Sequence, residues 1–210
     1  YISTKSFATG KTARNIAFYT SRGCPHRCGF CYNQEFNKRR WRGKSAQKVV
    51  DEMEDLIKKH NINSFEIEDD EFFVDLKRAR EISELIIKRN LNVDIFTSCR
   101  VDYVTRMDDD FLNLISKAGF KKLSFGVESG SKKIQNFINK DIESWQVLET
   151  IKKMKKAGIT PKFYFMAGFP RESAQDLYDT CDLIQKMKQL DKGVLIPTWR
   201  DFTPYPGSDL

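Results

Sequence analysis

Asn15-Ile16-Ala17-Phe18-Tyr19-Thr20-Ser21 is an apolar, β-forming run that feeds straight into Arg22-Gly23-Cys24-Pro25-His26-Arg27-Cys28-Gly29-Phe30-Cys31. Three cysteines fall within eight residues, spaced C-x3-C-x2-C. A thiolate is a soft ligand suited to zinc, copper(I) or the iron of an iron–sulfur cluster. Closed zinc sites want four ligands, usually from two separated C-x2-C pairs, and no second pair exists here. His26 is a candidate fourth zinc ligand, but the loop is too tight for it to close easily around a metal its neighbours hold. The C-x2-C-x2-C run of bacterial ferredoxins is also absent. What remains is a cubane cluster held by three cysteines, with one iron open for a further ligand.

Outward from this loop, strand and helix patterns alternate. Ser45 caps a helix whose apolar residues Val49, Val50, Met53, Leu56 and Ile57 recur at helical spacing to about Lys59. Ser64 to Glu68, Asn92 to Ser98, Lys122 to Val127, Thr160 to Ala167 and Val194 to Phe202 read as five further strands. Between them, helices are expected over Asp75 to Arg89, Asp108 to Ala118, Ser131 to Ile138, Ser144 to Ala157 and Ser173 to Leu190, with Gly119 and Gly158 as stops. Six strands alternating with helices argue for an α/β fold with a parallel sheet and outer helices. Periodicity alone leaves an open sheet and a partial barrel equally possible. In both, functional residues belong at the carboxyl ends of the strands.

The chain has 210 residues, 40% hydrophobic and 31% charged, enough for one domain with a sizeable core. No apolar run is long enough to span a membrane. Five cysteines, three of them in one loop, are not a disulfide framework and suit a reducing cytosol. The chain starts at Tyr1 rather than Met and stops just past a motif, so it reads as a piece of a longer protein. The net charge is +7, much of it in Lys38-Arg39-Arg40-Trp41-Arg42-Gly43-Lys44 and in Lys152, Lys153, Lys155 and Lys156. The second cluster reads as the solvated face of an amphipathic helix. In the first, Arg42 is a candidate contact for an anionic substrate, against the plainer reading of a solvated loop. Cys99 and Cys181 read as inert core residues, and His60 as a cap on the last carbonyls of its helix.

C-x3-C-x-aromatic-C, with Phe30 as the aromatic, resembles the signature of the radical S-adenosylmethionine (radical SAM) enzymes. The resemblance extends over most of the chain. It implies a partial (β/α)6 TIM-like barrel of six parallel strands spanning residues 1–210. It also implies a four-iron, four-sulfur cluster on Cys24, Cys28 and Cys31, whose open iron takes SAM. The second strand ends in Glu68-Asp69-Asp70-Glu71-Phe72-Phe73, where the family has a Gly-Gly-Glu-like segment. This Asp-Asp-x-Phe ending is like the cobalamin-binding branch, and places Asp69 and Asp70 toward SAM. Acids at a helix N-terminus would also suit the macrodipole. By the same resemblance, SAM contacts are expected from Phe30, Tyr32, Ser98, Arg100, Glu128, Ser129 and Lys140. Arg100 could equally pair with Asp102, and Lys140 with Glu128. Gly168 and Pro170, in Gly168-Phe169-Pro170-Arg171-Glu172, resemble the turn beside the adenine. The implied activity is reductive cleavage of SAM to a 5′-deoxyadenosyl radical that abstracts hydrogen from substrate. Cobalamin-dependent methyl transfer or ring formation are the outcomes that branch suggests. The implied partners are a small-molecule or lipid substrate and a one-electron donor such as flavodoxin or ferredoxin, with cobalamin on a domain outside this chain. An RNA-modifying methylthiotransferase and a non-catalytic, metal-stabilised binding module are the alternatives; the positive charge alone speaks for RNA.

Overall fold

A computed structural model describes residues 2–210. Strand β1 (Ile2–Lys5) runs antiparallel to β2 (Thr12–Phe18). A small ladder, β3 (Ser21–Arg22), and helix α1 (Asn33–Phe36) flank the cysteine loop, and β4 (Arg42–Gly43) pairs back onto β3. Then come α2 (Ala46–His60), β5 (Ser64–Ile67), a 3-10 turn over Phe72–Val74, α3 (Leu76–Lys88) and β6 (Asp94–Ser98). The short α4 (Val101–Arg106) precedes α5 (Asp109–Lys117), β7 (Phe120–Glu128) and α6 (Lys132–Phe137). The chain closes with α7 (Ser144–Ala157), β8 (Thr160–Ala167), α8 (Ala174–Leu190) and β9 (Arg200–Asp201).

The sheet order is β1-β2-β5-β6-β7-β8-β9, and every pair from β2 onward is parallel. Six parallel strands with helices between them form the partial barrel that the resemblance implies, one of the two arrangements the alternation leaves open. Phe65, Phe120, Phe125, Phe163 and Phe165 from the strands are buried completely or nearly so. They meet Val49, Val50, Met53, Ile82, Ile86, Ile115, Val147, Ile151 and Met154 from the inner helix faces in one continuous core. Helix starts are fixed by side-chain acceptors on the backbone: Ser45 for Lys48, Asp75 for Arg78, Asp108 for Phe111. Gly119 ends α5 at φ +107, where a Cβ would stand 2.2 Å from the Val93 carbonyl oxygen.

Several expectations need correction. The run from Asn15 to Ser21 is not one strand: β2 stops at Phe18, because Asp69 captures Thr20 and Ser21. The sixth strand is not continuous over Val194 to Phe202. Leu195 makes one bridge to Lys162 and pairing resumes only at Arg200, since Pro197 between them has no N–H to give. Cys181 is exposed, because the buried stripe of α8 runs through Thr180, Leu183 and Met187. His60 is exposed as well, and α2 is closed instead by Asn61 in the left-handed conformation (φ 52). Lys153 does more than face water: its ammonium donates to the carbonyls of Val104, Thr105 and Met107 at the end of α4.

Candidate active site

The cysteine loop lies beyond the carboxyl ends of β2 and β5, and Asp70 staples it at both ends. Oδ2 of Asp70 accepts from Gly23 N (2.6 Å), just before Cys24. Oδ1 accepts from the Tyr32 hydroxyl (2.9 Å) and Asn33 Nδ2 (2.8 Å), just after Cys31. In the middle, Gly29 N donates to the Ile138 carbonyl (2.8 Å), and Gly29 O accepts from Asp209 N. Gly23, at φ +86, is obligatory, since a Cβ there would lie 2.0 Å from Arg40 O. Asp69, next door, is a clamp between strands. Its two oxygens take the N–H and hydroxyl of Thr20 and of Ser21, at 2.5 to 3.0 Å. That fills all four acceptor positions of a carboxylate.

Cys28 is buried, and Cys24 and Cys31 are half-buried. Burial pushes the Cys24 thiol up to about 12 and raises Cys31 too. A coordinated iron reverses that balance, because a metal-bound thiol is deprotonated. Arg100 supplies cationic complement: Nη1 lies 3.6 Å from Cys28 Sγ, Nη2 donates to Lys140 O (2.7 Å) and Nε to Asp102 (2.8 Å). Among the described residues no three Cys, His, Asp or Glu side chains converge on a single ion. The donor set is three thiols on one loop, and three thiolates each holding a different iron of one cluster would leave its fourth iron open. His26 is engaged outside the thiols: its Nε2 is 2.7 Å from the Tyr103 hydroxyl. Burial and then Arg100 lower its pKa to about 4, so the ring is neutral.

Above the loop sits a buried ion pair. Lys140 Nζ lies 2.7 Å from Glu128 Oε1, both side chains shielded from solvent. Glu128 occupies a bulge at φ 68, which turns its side chain back across Gly126. A Cβ on Gly126 would meet Glu128 Oε1 at 2.3 Å and Lys140 Nζ at 2.9 Å, so the glycine makes room for the pair. Burial works against the Lys140 charge, but Glu128 and Cys28 more than offset it, and its pKa stands above the ordinary lysine value. The same ammonium lies 5.5 Å over the Phe30 ring. Phe30 packs on Phe169 (6.3 Å between centroids), and Phe169 on Phe202 (5.1 Å). Beside this aromatic wall opens a cleft of about 640 Å³, lined by Phe30, Met166, Trp199, Arg200 and Tyr205. Gly168 (φ +86) is exposed, with nothing within 4 Å of the position a Cβ would take.

The sequence profile of the Radical SAM superfamily matches residues 18–184, most of the chain. The chain belongs to the radical SAM superfamily. It is 34% identical over 191 residues to an uncharacterized methyltransferase of Pyrococcus horikoshii, covering 91% of this chain and 40% of that protein. It is 33% identical over 190 residues to the anaerobic magnesium-protoporphyrin IX monomethyl ester cyclase of Rubrivivax gelatinosus, covering 90% of this chain and 33% of that one. Among solved structures it resembles the radical SAM methyltransferase TsrM of Kitasatospora setae, determined with cobalamin and a [4Fe-4S] cluster. There the TM-score is 0.80 at 18% identity, over 98% of this chain and 39% of that one. The chain thus spans well under half the length of these relatives.

Within this radical SAM core, the fold brings Cys24, Cys28, Cys31, Phe30, Arg100, Glu128 and Lys140 together. Tyr32 and Asp70 hold the loop. Ser129 is turned into the core, its hydroxyl against Thr180 of α8, so it offers that hydroxyl to the protein and not to the cleft. Ser98 is half-buried at the end of β6, in register with Ser124 of β7. Pro170 is exposed on the turn after β8. Arg42 donates to Asn37 Oδ1 and the Arg40 carbonyl. Glu71 was visible only as part of an acidic run. It is buried, accepts from Phe73 N, and desolvation pushes its pKa up to about 8.

Asp176 ties the start of α8, after the Gly168–Glu172 turn, to the start of α6. It accepts from Lys133 Nζ (2.7 Å), Ser131 Oγ (2.6 Å) and the N–H and hydroxyl of Ser173. Lys133 first, then Ser131 and Ser173, hold its pKa below the usual carboxylate range. A depressed carboxyl contributes stability that is complete above its unfolded value, ~3.9, and lost as pH falls through the lower folded value. Melting curves from pH 5 downward are therefore expected to fall more steeply for the parent protein than for Asp176→Asn; parallel curves would show that the clamp contributes nothing.

Proposed function

We propose that this chain is the catalytic core of a radical SAM enzyme within a longer protein, holding a four-iron, four-sulfur cluster on Cys24, Cys28 and Cys31. The observation that carries the reading is the placement of these three thiols on one stapled loop, directly beneath a buried lysine–glutamate pair. Bound to Cys24, Cys28 and Cys31, a four-iron, four-sulfur cluster would supply the single electron for reductive cleavage of SAM, the source of the hydrogen-abstracting radical chemistry of this family. The chain's own residues bind and orient. Arg100 donates an N–H toward Cys28 Sγ and fixes the Lys140 backbone. Lys140 and Glu128 offer one positive and one negative group to the zwitterionic amino-acid end of SAM. Phe30, Phe169 and the open backbone at Gly168 line the place for its adenosine. The hard chemistry is the cofactor's, and the protein contributes position and exclusion of water.

The relatives' names favour methyl transfer or ring formation; with it go a small-molecule or lipid substrate, cobalamin carried outside this chain and a flavodoxin or ferredoxin as reductant. Cysteine usage favours the reducing cytosol, and no helix among the described residues is long and apolar enough to cross a membrane. Protein reconstituted anaerobically and given dithionite and SAM is expected to form 5′-deoxyadenosine slowly even without substrate, read by chromatography. A fully loaded cluster that binds SAM yet releases none would overturn the reading in favour of a binding module, or of SAM serving as methyl donor alone.

A further inference from the structure

The face beside the cysteine loop carries cationic charge with little to balance it. Arg22, Lys38, Arg39, Arg40, Arg42 and Lys44 are all exposed. Only Lys38 and Lys44 have carboxylate partners there, Glu35 and Glu52. Among the described residues, Arg22, Arg39, Arg40 and Arg42 have none within ion-pair distance. Arg22 and Arg42 stand directly opposite each other in the β3–β4 ladder, a placement that like charges disfavour. Lys38 and Arg39 are both in the left-handed region (φ 50 and 53), which side chains of L-residues avoid. Arg22 is offset only by its stacking on Tyr19 (4.0 Å), and Arg42 by its bonds to Asn37 and the Arg40 carbonyl. In the same patch Phe36 is 78% exposed, with its ring 5.8 Å from that of the half-exposed Tyr32.

This patch is also the protein surface next to the thiols. Arg40 O is the atom that a Cβ on Gly23 would strike, and Gly23 precedes Cys24. Arg39 N donates to Asn33 O, two residues past Cys31. We propose that the β3–β4 ladder and the Lys38–Arg40 segment form the docking surface for an acidic one-electron carrier protein, which delivers its electron to the cluster through the adjoining loop. The inference rests on the proposed function above. In the step, the reduced carrier loses one electron and the oxidised cluster gains it, with no bond made or broken. Electron-transfer partners form small, weak interfaces. Opposed charge speeds their encounter more than it tightens their complex. A compact cationic patch with an exposed aromatic at its centre matches both requirements.

The test uses cluster-loaded protein and stopped-flow absorbance, comparing reduction by an acidic flavodoxin with reduction by photoreduced deazariboflavin, which is small and uncharged. In the Arg39→Glu/Arg42→Glu variant, the second-order rate with flavodoxin is expected to fall at least about tenfold at low salt. Its dependence on ionic strength between about 0.01 and 0.15 M should flatten. The Arg39→Gln/Arg42→Gln variant should lie between. Iron content and the deazariboflavin rate should match the parent. An unchanged flavodoxin rate, or equal losses with both reductants, overturns the proposal. So does loss of single-stranded RNA binding with an unchanged flavodoxin rate, which would make this a nucleic-acid surface. A parent that forms no 5′-deoxyadenosine with deazariboflavin would instead refute the proposed function.

Discussion

Cys28→Ala is expected to yield a folded protein that loads no stable cluster after anaerobic reconstitution, colourless and near-background in iron. The same is expected of Cys24→Ala and Cys31→Ala. In the proposed cluster each thiolate would hold a separate iron, and two nearby candidates are engaged elsewhere: His26 Nε2 with the Tyr103 hydroxyl, and Cys99, buried, with its Sγ against the Arg100 carbonyl. Cys28 is the most sensitive of the three. It is 8% exposed, and its sulfur faces the Arg100 guanidinium, so its loss leaves Arg100 Nη1 without its sulfur partner. Cys99→Ala and Cys181→Ala are the controls and should keep full iron loading. One lies in the core and the other on the solvent face of α8. Iron and zinc analysis of the parent decides the matter; stoichiometric zinc without iron would refute the cluster assignment.

The second large effect is expected at Lys140, and it has two parts. Lys140→Ala leaves Glu128 buried and without its ion-pair partner in the bulge at the end of β7. Breaking a buried pair in this way costs about 3–5 kcal/mol of stability. If Lys140 holds SAM as proposed, the same substitution also removes a charge-assisted hydrogen bond to the SAM carboxylate, worth ~1.5–3 kcal/mol. At about 1.4 kcal/mol per tenfold, SAM binding should weaken roughly ten- to a hundredfold. The neutral pair Glu128→Gln/Lys140→Met separates the two: it should recover most of the stability in chemical denaturation and none of the SAM affinity in calorimetry. Parent-like affinity in that double variant would remove Lys140 from the SAM site and leave a structural ion pair.

What the sequence by itself determined was everything encoded over short spans. The three cysteines share one short loop, so their being neighbours was legible in their spacing before any folding event. Alternation of β-forming runs with helical periodicity, bounded by Ser45, Asp75, Asp108, Gly119 and Gly158, was enough for six parallel strands and their helices. What only the tertiary structure decided was which of several equivalent charged side chains does what. Asp69 and Asp70 are chemically alike neighbours. One is filled by Thr20 and Ser21, and the other staples the cysteine loop, because alternate residues past a strand end point opposite ways. Arg100 meets Cys28 across 72 residues of chain, and Lys140 meets Glu128 only because a left-handed residue turns the carboxylate over a glycine. The partner of a charged side chain is fixed by whichever strand end the sheet sets beside it, and local pattern carries no record of that neighbour.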